Sequence, residues 1–263
     1  MSRKAFTLIE LLIVIAMIAG LVGITLPAIR HCKQKVQSLS CTSNLHQLSM
    51  VLNAYANEYA SYPYGFFDSF WIRSSTSEKF VGDKMKDWAG KWWFELIGQN
   101  NPLSPMTIMN CPSSKDDIAD GILCGNYGVN SSVCKTSPLS SRTTEFAGKP
   151  LTPTQIRGPS EVILVMDAGY SLISWKATLS DPSYGFENPQ RNPWFYVPGL
   201  TSVNQRKAIA AQNKDDALLG RHPGTTVNIG FFDGHASALD AQSLAVEPLP
   251  ETQTQSTYRY WSP

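Results

Sequence analysis

The sequence has few charged residues and almost no net charge, which limits what the protein can bind. Charged residues make up 16% of the 263-residue chain, and the formal net charge is +1. Proteins that bind the phosphate backbone of nucleic acids usually carry a clear excess of lysine and arginine. The composition therefore gives no indication of a nucleic-acid partner.

Recognisable catalytic and metal-binding motifs are missing as well. The chain has five cysteines but no Cys-x-x-Cys pair, so neither a zinc ribbon nor a thioredoxin-like redox site is indicated. Gly-x-Ser-x-Gly, His-Glu-x-x-His, the P-loop and Gly-x-Gly-x-x-Gly do not occur either. We therefore expect neither an enzyme nor a resident cofactor.

A long apolar segment near the N-terminus is the strongest signal that the sequence does contain. A short basic leader, residues 1–5, precedes the apolar run Phe6–Ile29, in which Glu10 is the only charged residue. Roughly 20 apolar residues suffice to cross a bilayer as a helix. A carboxylate within such a run is costly and usually functional. We predict a transmembrane helix over residues 6–29.

The same segment resembles the N-terminus of type IV prepilins and type II secretion pseudopilins. Members of that family have a basic leader ending in a small residue, then an aromatic residue, and then Thr-Leu-Ile-Glu with the glutamate in the fifth mature position. Counted from Phe6, Glu10 is fifth and Pro27 is twenty-second, where the family often has proline. One position departs from the pattern, because the family usually has glycine where this chain has Ala5.

This resemblance implies a processing pathway, partners and a location. A membrane prepilin peptidase would cleave between Ala5 and Phe6 and methylate the new amine of Phe6. Glu10 would act in assembly by pairing with the N-terminal amine of a neighbouring subunit. Other pilin or pseudopilin subunits would be partners within the inner (cytoplasmic) membrane. The chain would be a single-pass protein with its C-terminal domain on the periplasmic or other extracytoplasmic side.

The residues after the apolar segment predict that the same helix continues. Between Pro27 and Ala60 there is no further glycine or proline. We expect residues 30–60 to be helical and residues 247–263 to be a flexible tail. The resemblance to prepilins implies that residues 61–246 form a pilin-like α+β domain with an antiparallel sheet. The helix would pack on the sheet through apolar residues that recur in steps of three and four, namely Leu45, Leu48, Leu52, Tyr55 and Tyr59.

Two short apolar runs near the C-terminus predict a β-hairpin. Val227–Phe232 and His235–Leu239 flank Asp233-Gly234, a strong signal for a tight turn with Gly234 at positive φ. Together with His222, this region resembles a prepilin-associated family named for its His-x9-Asp-Gly signature, although ten residues separate His222 from Asp233 here. We expect His222 to hydrogen-bond this hairpin.

Three further elements are predicted within the domain. Met85–Ile97 has the pattern of a short amphipathic helix, and Val162–Asp167 is an apolar run typical of a buried strand. Residues 168–215 are rich in Pro, Asn, Trp and Tyr without a clear period. We interpret them as a long surface excursion, or as the variable loop that would carry binding specificity.

Two groups of residues invite a metal-site interpretation. His222, Asp233 and His235 are ligand types for zinc or iron, but a role in the turn explains Asp233 without a metal. The acidic residues between positions 116 and 120 do not have EF-hand spacing. We expect no stoichiometric transition metal, and a calcium ion remains an open alternative.

The cysteines leave the disulfide pattern open. Cys32 and Cys41 are nine residues apart on the predicted helix, so they face opposite sides and cannot pair. Cys111, Cys124 and Cys134 allow one disulfide and one remaining thiol, or three free buried thiols.

Two functions from different classes are compatible with these features. The first is a pseudopilin-like subunit of a type II secretion or type IV pilus-like filament. The alternative is a membrane-tethered extracytoplasmic binding module that uses Trp- and Tyr-rich loops to bind polysaccharide. The prepilin-like N-terminus favours the first.

Overall fold

One long helix, α1 (Leu8–Tyr59), forms the N-terminal part of the structure. The Thr7 hydroxyl accepts a hydrogen bond from the Glu10 N–H at 3.3 Å, and the Glu10 carboxylate accepts one from the Thr7 N–H at 2.9 Å. This capping box satisfies donors that a helix N-terminus otherwise leaves unpaired. The structure is a computed structural model that describes residues 7–68, 90–98, 108–114, 126–137, 145–179, 195–209, 211–246, 258, 260, 261 and 263.

The first half of α1 is an exposed apolar rod. Every large apolar side chain from Leu8 to Ile29 is exposed, by 45–79% of its surface. With 52 residues, α1 is about 78 Å long. By its length and composition, this helix is capable of crossing a membrane.

The second half of α1 packs on a five-stranded sheet with strand order β5-β3-β4-β6-β7. All neighbouring strands are antiparallel except β3 and β5, which are parallel, and β1 and β2 form a separate pair. The elements after α1 are β1 (Phe66–Asp68), β2 (Gly90–Trp92), α2 (Trp93–Gly98), β3 (Tyr127–Asn130), β4 (Ile163–Asp167), β5 (Leu172–Ile173), α3 (Thr201–Asn204), α4 (Lys214–Leu219), β6 (Thr226–Phe231) and β7 (Ala236–Asp240). The α+β class is therefore correct, but the sheet is mixed rather than antiparallel.

The contact between α1 and the sheet depends on a glycine. A Cβ atom added to Gly230 in β6 would lie 2.2 Å from the Ser49 Oγ and 3.0 Å from the Leu45 carbonyl oxygen. A larger residue at this position would force the Ser49 side chain or the backbone of the helix to shift. Leu45, Leu48 and Leu52 of the predicted stripe are fully buried, whereas Tyr59 at the end of the stripe is exposed.

The hairpin β6–β7 has a three-residue loop. The Gly234 N–H donates to the Phe231 carbonyl at 3.1 Å, and the Phe231 N–H donates to the His235 carbonyl at 2.9 Å. Gly234 has a φ of +93°. These features are typical of a type I turn followed by a left-handed glycine, so the loop includes Phe232 as well as Asp233 and Gly234.

The buried strand predicted over Val162–Asp167 is confirmed as β4, all of whose residues are buried. The helix predicted over Met85–Ile97 is wrong for residues 90–92, which form β2, and α2 begins only at Trp93. Strand pairing overrides the helical pattern there, because Phe66 of β1 pairs with Trp92 and their rings lie 4.7 Å apart.

The surface excursion predicted over 168–215 is wrong for residues 168–179 and 195–204, which are mostly buried, whereas most described residues from 205 to 215 are exposed. The buried part contributes β5 and a second apolar core on the sheet face away from α1, with Trp175, Phe195 and Val197. The expected flexible tail also differs at its end, because Tyr258 and Trp261 are buried and the Tyr260 carbonyl accepts from the Ile163 N–H at 2.9 Å. Aromatic residues thus complete this second core. It could not be predicted from the sequence, because these residues do not follow a regular helical or strand period.

Candidate functional site

Four buried side chains with ionisable or metal-binding groups meet where α1 enters the domain. Cys41 comes from α1, Cys111 from the segment 108–114, Asp167 from the end of β4, and His222 from the residues just before β6. We refer to these four residues as the cysteine–histidine cluster. Cys41 is the first buried residue of α1.

The atoms of the cluster are close together. One ring nitrogen of His222 and the Sγ atoms of Cys41 and Cys111 all lie within 4.8 Å of one another. The His222 Nε2 is 3.9 Å from the Cys111 Sγ and 3.0 Å from the Asp167 Oδ2. The fold brings these groups together over more than a hundred residues of sequence, from two elements, α1 and β4, and two loops.

Local chain geometry fixes Asp167 and His222. Asp167 ends β4, and its Oδ2 accepts a hydrogen bond from the Asn228 N–H of β6 at 2.7 Å. His222 precedes Pro223 and is extended, with φ −118° and ψ 153°. A residue before proline is sterically pushed into this region, so Pro223 helps to direct His222 toward the end of β4.

The loop that carries Cys111 is held against α1. The Cys111 N–H donates to the Asn126 Oδ1 at 2.9 Å, and the Asn44 side chain of α1 donates to the Asn110 carbonyl at 2.9 Å. The segment 108–114 therefore has hydrogen bonds both to the approach of β3 and to the helix. These bonds place Cys111 opposite Cys41.

Arg221 adds a positive charge beside the cluster. Its guanidinium makes a bidentate pair with Asp216 at 2.6 and 3.1 Å and donates to the Asn126 carbonyl at 2.8 Å. It also lies 3.9 Å from the Asp167 Oδ1. Burial by itself would lower the pKa of Arg221, but Asp216 and Asp167 raise it well above its usual value. Arg221 is therefore a permanent cation in this region.

The cluster shifts the pKa values of its own members. Burial alone would lower the pKa of His222, but the neighbouring Asp167 carboxylate raises it to about 9. Burial raises the pKa of the Cys111 thiol, whereas a hydrogen bond to Cys111 lowers that of Cys41. Among the described residues, the Asp167 Oδ1 and the His222 Nδ1 have no hydrogen-bond partner.

The arrangement does not suit nucleophilic catalysis by Cys111. In a catalytic triad, one ring nitrogen of the histidine faces the nucleophile and the other faces the carboxylate. Here the His222 Nε2 faces both Cys111 and Asp167, and its Nδ1 faces neither. Cys111 is also buried, and its raised pKa disfavours the reactive thiolate.

The N-terminal site residues fall at the edge of the described structure. Ala5 and Phe6, the predicted cleavage and methylation positions, lie outside the described residues. Glu10 is described, and its side chain accepts from both the N–H and the hydroxyl of Thr7. Within a single chain, Glu10 therefore caps its own helix.

The residues of the C-terminal signature separate into two places. Asp233 and His235 form an exposed pair at the turn, with the Asp233 Oδ1 2.5 Å from the His235 Nδ1. The partners of His222 are Asp167 and Cys111 rather than the turn. Among the described residues, the hydrogen-bonded link from His222 to the hairpin runs through Asp167, which accepts from the Asn228 N–H.

The remaining candidate residues are the cysteines and the acidic residues between 116 and 120. Cys124 and these acidic residues lie outside the described residues. Cys32, Cys41, Cys111 and Cys134 are free thiols in the structure.

Sequence reasoning missed Cys41, Cys111 and Asp167 as site residues. One signal for Cys41 was present, because the buried stripe extends back from Leu45 by one helical turn to Cys41. No comparable signal in the sequence links Cys111 to Cys41 or Asp167, since that contact depends on how a loop folds over the helix.

Comparisons with protein-family models, curated proteins and solved structures gave no match.

Proposed function

We propose that this protein is a pseudopilin-like subunit of a type II secretion or type IV pilus-like filament. Prepilin peptidase would cleave it between Ala5 and Phe6, and the first half of α1 would hold it in the inner membrane. The domain would lie on the periplasmic or other extracytoplasmic side. The observation that carries this proposal is one continuous helix that is exposed and apolar in its first half and buried along one face in its second.

The exposed half of α1 needs an apolar environment that the described domain does not supply. Every described residue up to position 36 is exposed. Apolar patches of this extent are rare on soluble monomers and usually mark a membrane or protein contact. A lipid bilayer would cover the rod before assembly, and the equivalent helices of other subunits would cover it in the filament.

Glu10 provides the test because two roles are possible for its carboxylate. In the single chain it belongs to the capping box with Thr7. In the proposed filament it would pair with the methylated amine of a neighbouring subunit, which would relieve two charges in an apolar environment. Glutamine can still form a capping box, so Glu10→Gln removes the charge but keeps the cap.

The experiment compares Glu10→Gln, Glu10→Leu and Thr7→Val for incorporation into filaments in a host that makes the other subunits. We expect a sharp loss of incorporation for both Glu10 variants and a small effect for Thr7→Val, with membrane insertion unchanged in all three. Normal incorporation of Glu10→Gln would contradict the assembly role of the charge. The mass of the mature N-terminus should correspond to N-methyl-Phe6, and retention of Met1 despite active prepilin peptidase would contradict the processing.

The polysaccharide-binding alternative gains no support from the described tryptophans. A tryptophan that stacks on a sugar exposes one face of its ring, and the four described tryptophans are all buried: Trp92, Trp93, Trp175 and Trp261. Glycan-array binding by the purified protein would favour that alternative. We therefore propose only the filament function.

A further inference from the structure

The cysteine–histidine cluster contains the donor atoms of a metal site. Two thiols and an imidazole are buried within 4.8 Å of one another. Thiolate and imidazole are the ligands that zinc uses in its structural sites. A combination of two sulfur ligands and a nitrogen ligand in a tetrahedral arrangement favours zinc over magnesium or calcium, which take oxygen ligands.

The spacing is close to that of a tetrahedral site. Bonds of about 2.3 Å to sulfur and about 2.0 Å to nitrogen place neighbouring ligand atoms roughly 3.5 to 3.8 Å apart. The Cys111 Sγ lies 3.9 Å from the His222 Nε2, which is nearly that distance. The Cys41 Sγ lies within 4.8 Å of both atoms, so a contraction of at most about 1 Å would bring all three donors to the ligand spacing of one ion.

Asp167 places a carboxylate against His222, at the edge of this group of three donor atoms. Its Oδ2 is 3.0 Å from the same Nε2, and its buried Oδ1 has no hydrogen-bond partner among the described residues. A buried carboxylate oxygen without a hydrogen bond is costly, and a metal bond would satisfy it. Arg221, at 3.9 Å from that oxygen, would offset the surplus negative charge of two thiolates and a carboxylate around one divalent ion.

We propose that Cys41, Cys111 and His222 bind a zinc ion, with the Asp167 carboxylate as the fourth ligand. Binding would release the two thiol protons and any proton on the His222 Nε2 to solvent. The proposed site differs from the expectation from the sequence in two ways. The sequence groups His222 with Asp233 and His235, and it predicts no bound transition metal. The proposal does not depend on the filament function.

The position of the ion suggests a mechanical role. Cys41 is the first buried residue of α1, at the point where the exposed rod becomes the buried half of the helix. The other three ligands belong to the domain. The zinc would therefore fasten the helix to the domain where a pull on the rod is transmitted.

The experiment measures zinc in the full-length protein, purified in mild detergent without chelators. We expect one equivalent in the wild type and in Cys32→Ser, which removes an exposed thiol of α1 outside the cluster. Cys41→Ser, Cys111→Ser and His222→Gln should retain less than about a tenth of that amount. Asp167→Asn should weaken zinc affinity by at least about 10-fold, since even an outer-shell partner of a metal ligand contributes that much.

A second measurement uses the wild type alone, in case the cluster variants do not fold. Replacement of the metal by cobalt(II) should give the visible absorption of a tetrahedral cobalt–thiolate site. Two results would overturn the proposal. One is the absence of both zinc and the cobalt spectrum, with all thiols free. The other is a disulfide between Cys41 and Cys111, detected as a mass lower by two hydrogen atoms and as a cross-linked peptide, which an extracytoplasmic location permits.

Discussion

The two halves of α1 contain the same kinds of residue in opposite surroundings. Leu12 and Leu21 in the first half are 57% and 66% exposed, whereas Leu45 and Leu48 in the second half are fully buried. Both halves belong to one uninterrupted helix. Helical structure alone therefore does not determine whether a leucine is buried by its own chain.

The distribution of apolar residues around the helix explains the difference. From Leu11 to Ile29 the helix has no charged residue on any side. In the second half, polar residues flank an apolar stripe. Two of them, Asn44 and Asn53, donate hydrogen bonds to the domain. A helix that is apolar all round needs an apolar environment on every side, whereas an amphipathic helix needs one partner. The domain provides that partner only for the second half.

The largest effect should come from shortening a leucine in the buried half. Leu48→Ala should lower the free energy of unfolding of the domain by about 2–5 kcal/mol, because it leaves a cavity between helix and sheet. Leu21→Ala is the matched control and should change it by less than about 0.5 kcal/mol. Urea unfolding of both variants in detergent, followed by near-UV circular dichroism, measures the difference. Equal losses would mean that the exposed half also packs on the domain.

The next largest effect should come from the close contact at Gly230. Gly230→Ala places a methyl group 2.2 Å from the Ser49 Oγ, and such overpacking typically costs about 1–3 kcal/mol. Thermal unfolding of the variant should show this loss. Gly23→Ala in the exposed half is the control, because no atom lies within 4 Å of its added Cβ.

Removal of the obstructing hydroxyl should reverse part of this loss. The Ser49 Oγ is buried and has no hydrogen-bond partner among the described residues, so Ser49→Ala alone should be neutral or slightly stabilising. The double variant should then recover part of the stability lost in Gly230→Ala. Additive effects of the two substitutions would show that the Leu45 carbonyl, rather than Ser49, limits the approach.

The sequence predicts these two halves well because periodic patterns are local. The unbroken apolar run, the stripe from Leu45 to Leu52 and the strand at 163–167 depend on neighbours within a few turns or residues. The turn at Gly234 is predictable for the same reason, since few other residues tolerate positive φ. Such features need no knowledge of the tertiary structure.

The cysteine–histidine cluster was not predictable in this way. Its residues lie at positions 41, 111, 167 and 222, and each belongs to a different element or loop. Within their local sequence, Cys41 is a residue of the helical stripe, Cys111 a loop residue and Asp167 the last residue of a strand. None of these three roles indicates a shared site. Only the tertiary structure brings them together, because β4 pairs with β6 and α1 packs against both strands. The aromatic residues after 168 likewise form a second core only by packing on the opposite face of the sheet.

A smaller effect should come from the polar contacts of the buried half. The Asn53 side chain donates to the Phe232 carbonyl at 2.9 Å and accepts from the Tyr62 hydroxyl at 2.8 Å. Asn53→Ala leaves both groups without this partner and should cost about 1–2 kcal/mol. The control is Asn57→Ala, an exposed position on the same helix. Similar melting temperatures for the two variants would show that water replaces the Asn53 contacts.

The smallest effect tests whether pH acts on the domain without acting on the rod. Burial lowers the pKa of Lys207 to about 7, and its amino group donates to the Ala177 carbonyl. Between pH 7 and the usual lysine pKa of about 10.4, the unfolded chain holds a proton that the folded domain has lost, so this residue makes stability rise with pH. Because Lys207 keeps partial contact with solvent, we expect a slope of about 0.5 kcal/mol per pH unit.

The measurement is the stability of the wild type minus that of Lys207→Met, since the subtraction removes the titration of the other groups. This difference should increase from pH 6 to pH 8.5, while the helical signal of the rod, which has no ionisable side chain from Leu11 to Ile29, stays constant. A difference that does not change with pH would mean that Lys207 remains charged in the folded domain.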